Sequence, residues 1–271
     1  MRRVALPLAA LLALGWMAAP AFARDEPAAT APPGAITIDA EQGIEWQRTA
    51  RIVTAKGNAT AVRGDTTVRA DVLTARYRQR PDGSIEVWRI DGDGAVRVTS
   101  PRQSAFGDKG TYDVAGSKMS ISGKQAGVTT PTSRITADDR IDYDINGRTL
   151  IARGNAVVVD GDRTLSGDVV TIRFAEDAAG GNRPQQIDAQ GRMKLVTPSE
   201  TVTADSGTYD VARQLATAEG SVQVVQGANR LNGCRGEMNL QTGVSRMFAC
   251  ADGEGGGRVH GVILPNTLQR N

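Results

Sequence analysis

The sequence predicts an all-β chain made of tandem antiparallel hairpins, and three observations carry that expectation. Gly57, Gly94, Gly154 and Gly191 are each followed fourteen positions later by an aspartate (Asp71, Asp108, Asp168, Asp205), and Gly220 is followed at the same interval by Cys234. Gly57, Gly94 and Gly123 return 97 positions later as Gly154, Gly191 and Gly220, and the hexapeptide starting Gly110-Thr111-Tyr112 returns as Gly207-Thr208-Tyr209. Between these markers apolar and polar residues alternate with a period of two, and no apolar 3.6-residue period occurs beyond the first stretch of the chain. Repetition of this size marks an array of supersecondary units. The chain therefore reads as a little over two copies of a three-hairpin block.

The N-terminus reads as a targeting segment. Arg2-Arg3, an apolar run from Val4 to about Ala19, and Ala21-Phe22-Ala23 have the order of a cleavable signal peptide over residues 1–23. Residues 24–35, rich in Ala and Pro, read as a flexible leader. A single domain is expected over 36–265, followed by a short tail at 266–271. Loops are expected at 78–86, around Pro81-Asp82-Gly83, and at the equivalent place in the second copy, 175–184. Removing Arg2 and Arg3 leaves 30 basic residues of the original 32, against 30 acidic ones, so the exported chain is nearly neutral. With 4% aromatics and no Lys/Arg cluster interleaved with them, a nucleic-acid surface is not expected.

The best-defined hairpin spans 150–174, where two runs rich in Val, Ile and Thr flank Asp160-Gly161-Asp162, a tight-turn signal. Counting by twos from each repeat glycine isolates one face. It carries Val53, Ala55, Ala59 and Ala61 in the first unit, and Ile90, Gly92, Val96 and Val98 in the second. The later units supply Leu150, Ala152, Ala156 and Val158; Ile187, Ala189, Met193 and Leu195; and Ala216, Ala218, Val222 and Val224. Intervening positions such as Asn58, Arg97, Arg192 and Lys194 are polar, so this face is buried or lipid-covered and the other is wet. The Gly123 unit fits at Met119 and Ile121 but puts Gln125 and Gly127 on the same face. Small aliphatic side chains leave either a thin core or an open apolar groove.

Reactive chemistry is sparse. His260 is the only histidine, so no metal cluster or histidine-based triad is expected; no catalytic residue, metal or cofactor is assigned, and the chain is not expected to be an enzyme. The four aspartates are periodic, which suits a carboxylate accepting a backbone N–H at a turn or bulge better than it suits a catalytic site. Cys234 and Cys250, in an exported chain, are expected to form a disulfide that staples the last hairpin.

The signal peptide, the hairpins of the type Gly-Asn-Ala-Val-Val-Val-Asp-Gly (154–161) and Gly-Asn-Ala-Thr-Ala-Val-Arg-Gly (57–64), and the terminal Gly-Val-Ile-Leu-Pro (261–265) together resemble the OstA-like family. The resemblance implies a slightly opened β-jellyroll whose interior shields lipid A acyl chains of lipopolysaccharide in the periplasm. On that basis the inward residues above would contact lipid. An inner-membrane transport partner would meet the N-terminal edge at Ile36, Ile38 and Ala40. An outer-membrane translocon would meet the C-terminal edge at Val259, Val262 and Leu264, and head-to-tail self-association is implied as well. The alternative reading is a structural or binding β-repeat protein, adhesin-like or carbohydrate-binding, with a dry core.

Overall fold

The computed structural model describes residues 35–176, 181–250 and 257–264, and its described residues form strands, turns and no helix. The expected signal peptide, all of the leader but residue 35, and the tail lie outside the described residues. Among the described residues eighteen strands join in one antiparallel sheet. The chain enters through two short strands, β1 (Thr37–Asp39) and β2 (Gly43–Gln47), and continues in four long ones, β3 (Ile52–Arg63), β4 (Thr66–Gln79), β5 (Ile85–Ser100) and β6 (Gln103–Asp113). Four short strands make the middle: β7 (Lys118–Ser122), β8 (Ala126–Thr129), β9 (Ser133–Ala137) and β10 (Arg140–Asp144). Long strands resume with β11 (Thr149–Asp160), β12 (Arg163–Glu176), β13 (Asn182–Val196), β14 (Thr201–Asp210), β15 (Leu215–Gln226) and β16 (Asn229–Asn239), and β17 (Val244–Phe248) and β18 (His260–Val262) close the array.

Each rung is a long strand or two short ones sharing its length. β2 and β1 pair with the first and second halves of β3, β7 and β8 with the two halves of β6, and β17 and β18 with the two halves of β16. β7 pairs onward with β10, and β8 with β9. The sheet thus runs unbroken through the boundary between the two sequence copies.

A crease divides every rung, and the repeat glycines make it. Gly57, Gly94, Gly154, Gly191 and Gly220 have φ between 72° and 85°, and the next residues (Asn58, Ala95, Asn155, Arg192 and Ser221) have φ between 43° and 49°. Two consecutive left-handed residues stand opposite one residue of the next strand, which is a β-bulge. In register, the single residues opposite are Asp71, Asp108, Asp168, Asp205 and Cys234. The fourteen-residue interval is therefore the path out along one hairpin arm and back to the crease.

The aspartates do more than the expected local acceptance of an N–H. Asp108 does accept the Lys124 N–H at 3.0 Å. Asp168 instead takes the Arg192 guanidinium, Nε at 2.9 Å. Asp71, Asp168 and Asp205 also lie against the bare Cα of the following rung's Gly94, Gly191 and Gly220, where a methyl group would overlap the carboxylate. Glycine is thus required twice here, by φ and by the packed carboxylate. The second bulge residue is also engaged: Asn58 donates to Glu41 at 3.0 Å, and Asn155, 97 positions on, donates to Asp138 at 2.8 Å.

Three expectations change. The strands run longer than a hairpin reading suggests, because the bulge bends a strand without ending it. Of the stretches expected as loops, 78–86 and 175–184, residues 78–79, 85–86, 175–176 and 182–184 consequently belong to the flanking strands. In the Gly123 unit the inner face carries Ala126 and Val128, not Gln125 and Gly127: three residues, Gly123 to Gln125, fill the crease between β7 and β8, and Gln125 is exposed with φ 60°. The tight turns at Gly64 and Gly161 are as expected, with φ of 55° and 57°.

Cys234 and Cys250 are joined, with Cα atoms 4.9 Å apart. On the last long hairpin Cys234 stands where the others carry Asp, and a covalent bond to Cys250 takes the place of the carboxylate packing. Reducing it should lower stability by about 3 kcal/mol on the chain-entropy estimate for a loop of this size, measured by urea unfolding with and without reductant; no difference would mean the bond does not hold the last hairpin. Gly161→Ala, at an open turn, should cost about 1 kcal/mol from its left-handed backbone. Gly191→Ala should cost roughly 2–4 kcal/mol, because overpacking against Asp168 adds to the strain. Adding Asp168→Ala to Gly191→Ala should recover part of that loss, a non-additivity readable in the same unfolding assay.

Candidate functional site

The crease brings two walls of one sheet face to face. One wall carries β2, β7, β10, β17 and the matching half-strands; the other carries β1, β8, β9, β18 and theirs. Their side chains meet across the fold: a Cβ on Gly110 would lie 2.9 Å from Val96 Cγ1, and one on Gly207 2.8 Å from Met193 Cε. Glycine on one wall leaves room for a larger residue on the other.

Burial on this inner face is graded. Two positions from each repeat glycine the side chains are closed off, as at Ala55 (1% exposed), Ala59 (0%), Val96 (2%), Ala152 (0%), Ala156 (0%), Met193 (7%) and Val222 (1%). Four positions out, Val53, Ala61, Val98, Ile187, Leu195 and Val224 are only half-buried. Leu150 and Val158, in the middle of the array, are the exceptions and are buried. The face is therefore a dry floor with apolar flanks that open toward both rims. The twenty residues counted inward from the five glycines of the bulges pair by register with inward neighbours.

Counting from glycine alone missed the return strands. Leu73, Ala70, Val170, Ile172, Val202 and Ala204 are buried on the same face. Counting one and three before each aspartate and two and four after it would have found them. The outer face is polar and repeats with the sequence. Asp91 takes Arg76 and accepts the Thr111 hydroxyl at 3.1 Å; Asp188 takes Arg173 and accepts Thr208 at 3.0 Å. A shallow recess of about 380 Å³ also lies there, beside Thr111, Asp142 and Ile151, but Asp142 is already engaged by Arg140 and Arg153 at 3.0 and 2.6 Å. Among the described residues no group of His, Cys, Asp or Glu is placed to hold a metal ion.

The edges are wider than expected. β1 pairs on one side with β3, bringing Ile38 beside Ala61, and Ile38 and Ala40 pack against the core; Ile36 precedes the strand and is half-buried. β2 forms the rest of this edge, with Ile44 and Trp46 50% and 52% exposed. Their equivalents 97 positions on, Ile141 and Tyr143, are covered because β7 pairs with β10; Ile141 is 3% exposed. At the other end β18 is only three residues long, Val259 and Leu264 flank it, and Val259, Val262 and Leu264 are 41%, 50% and 54% exposed. β17 shares that edge, with Val244 52% exposed.

Aromatic pairs repeat at the same offset. Trp46 meets Tyr77 edge-on at 6.4 Å and donates its indole N–H to the Tyr77 hydroxyl at 2.7 Å; Tyr143 meets Phe174 at 6.2 Å. Burial pushes the Tyr143 phenol above its ordinary range. No helix among the described residues is long and apolar enough to cross a membrane.

Comparison with curated proteins gave no match. A solved structure that resembles the chain is LptH, described as the LptA-homologous periplasmic component of the conserved lipopolysaccharide transport device of Pseudomonas aeruginosa. It is 21% identical, with a TM-score of 0.40, over 49% of this chain and 95% of that one. A family model described as LptA/(LptD N-terminal domain) LPS transport protein matches residues 37–147 and, a second time, 134–244. Those two matches cover the greater part of the creased sheet, one per sequence copy, and the chain belongs to the LptA/LptD N-terminal domain family of lipopolysaccharide transport proteins.

Proposed function

We propose that this protein is an exported, periplasmic carrier that shields the acyl chains of lipopolysaccharide between its two walls, bridging inner-membrane and outer-membrane transport complexes. The observation that supports it most is the graded inner face: a dry floor and half-exposed aliphatic flanks running the length of the sheet, in a chain of a lipopolysaccharide transport family. An acyl chain crossing water costs about 0.8 kcal/mol per exposed CH₂, so a multi-chain lipid needs continuous apolar cover. Small aliphatic flanks offer many weak contacts, and the lipid slides past them. Nothing in this reading requires a bond to be made or broken, a metal or a cofactor.

The exposed ends fit the bridging part. An unpaired edge favours strand addition. Within the chain, β7 laid on β10 buries Ile141 and half-buries Tyr143, the equivalents of the exposed Ile44 and Trp46 of β2. In this reading the N-terminal edge receives the inner-membrane partner and the C-terminal edge the translocon, which keeps the apolar path continuous.

A photo-reactive residue replacing Leu195 should capture lipopolysaccharide, whereas one replacing its outward neighbour Lys194 should not; equal yields would contradict the carrier role of the inner face. Leu195→Asp should abolish binding without unfolding the chain, since a carboxylate desolvated against hydrocarbon has no partner there. In a Trp88→Phe background, adding the inner-membrane partner's periplasmic domain should shift Trp46 emission to the blue. Unchanged emission with binding intact would place the joint elsewhere.

A further inference from the structure

The two rims of the groove differ in chemistry. Along the wall that begins with β2, the outer inward-facing positions hold Trp46, Tyr77, Tyr112, Tyr143, Phe174 and Tyr209, a row that includes all four tyrosines of the chain. Register puts them on the inner face: Trp46 lies opposite Val53, Tyr112 opposite Ile90, Tyr143 opposite Leu150 and Tyr209 opposite Ile187. Spacings of 31, 35 and 31 residues carry the row from Trp46 to Tyr143, and the same pattern restarts there. The positions on the opposite wall that correspond to Trp46, Tyr112, Tyr143 and Tyr209 are Ile38, Ala105, Ile135 and Val202, all aliphatic, and Val68, Leu165 and Leu231 continue that rim; Tyr77 and Phe174 stand one inward-facing step beyond Ala75 and Ile172, the counterparts of Val68 and Leu165. For those four pairs the position in the sheet is the same and only the chemistry changes.

Burial shows where this row sits. Tyr112, Tyr143, Phe174 and Tyr209 are half-buried, and Trp46 is 52% exposed over the buried Tyr77. Tyr143 and Phe174 pack on the core while the Tyr143 hydroxyl accepts a hydrogen bond from Asn182 Nδ2 at 2.9 Å. The ring is in hydrocarbon surroundings and the oxygen is at the polar surface. The Tyr112 and Tyr209 hydroxyls have no hydrogen-bond partner among the described residues. Rings of this kind concentrate where an apolar phase meets water, one end of each satisfied by either side. The Arg48 guanidinium lies 5.2 Å from the Trp46 ring centre and forms no ion pair among the described residues.

We propose that the Trp46-to-Tyr209 row is an interfacial belt that binds the polar headgroup of the lipid, a phosphorylated saccharide, so that lipopolysaccharide lies in the groove with one fixed sense. The headgroup runs along the aromatic rim, with sugar C–H faces on the rings and sugar hydroxyls meeting the free phenols. The acyl chains cross the floor toward the aliphatic rim. This rests on the carrier reading and adds a direction to it. A belt on one side only keeps the headgroup in water for the whole length of the sheet, and the lipid advances without turning over.

The test places photo-reactive residues at Tyr112 and Tyr209, and separately at Leu165 and Leu231, in full-chain protein loaded with purified lipopolysaccharide. Tandem mass spectrometry then locates each adduct on the lipid. At Tyr112 and Tyr209, adducts on the headgroup should exceed those on acyl chains by about tenfold, a bias of roughly 1.4 kcal/mol, and at Leu165 and Leu231 the ratio should reverse. Acyl adducts in equal share at both rims would overturn the fixed sense and leave the carrier role standing. No lipid adduct at any of the four positions would overturn both.

Discussion

Two consecutive left-handed residues at one level of every long odd-numbered strand determine the rest of this protein. A single antiparallel sheet with one apolar face has nothing to bury that face against. The Gly-X bulge supplies the missing layer by bending the sheet back on itself, so that the half-strand before the glycine covers the half-strand after it. The aspartates opposite four of the five bulges, Asp71, Asp108, Asp168 and Asp205, then pack on the bare glycine of the next rung, which aligns the creases from rung to rung. Ala95, Arg192 and Ser221 adopt φ of 45° to 49° without the freedom of glycine, a cost of about 1 kcal/mol each that the surrounding sheet holds in place.

From the crease follows the gradient that matters for function. Side chains near the fold are pressed together, so Ala and Gly dominate there and the larger Met193 and Val96 sit opposite glycine. Farther out the walls part and Val, Ile and Leu become half-exposed. A flat sandwich of two separate sheets would close evenly; one creased sheet closes at the fold and opens at the rims. The polar outer face, tied by the Asp91 and Asp188 clusters at equivalent places, keeps the walls soluble outside.

The sequence made the fold legible because the same physical demand recurs at every rung. Gly57 and Gly154 carry the same signal, and the period of two around each of them placed Val53, Leu150 and Leu195 on the correct face. What escaped notice was non-local. The packing of Asp71 on Gly94 joins residues of different rungs, so the aspartate looked like a local acceptor. Return strands restart their alternation at the aspartate, which hid Leu73 and Val170 from a count anchored on glycine. Around Gly123 one extra residue in the crease shifted the register by one, and with period two that moves every side chain to the other face. β2 was overlooked as an edge because Ile44 and Trp46 resemble the covered Ile141 and Tyr143; only the pairing distinguishes them.

The central claim is that the space between the walls carries an acylated glycolipid. The most direct measurement is organic extraction of the protein, purified from the periplasm of cells that make lipopolysaccharide, followed by mass spectrometry of the extract, with Leu195→Asp protein prepared alongside. The account predicts recovery of lipopolysaccharide from the unaltered protein and its loss from the variant. Extracts that are equally free of glycolipid, from protein shown to be folded, would contradict it and leave a β-repeat protein with a dry core.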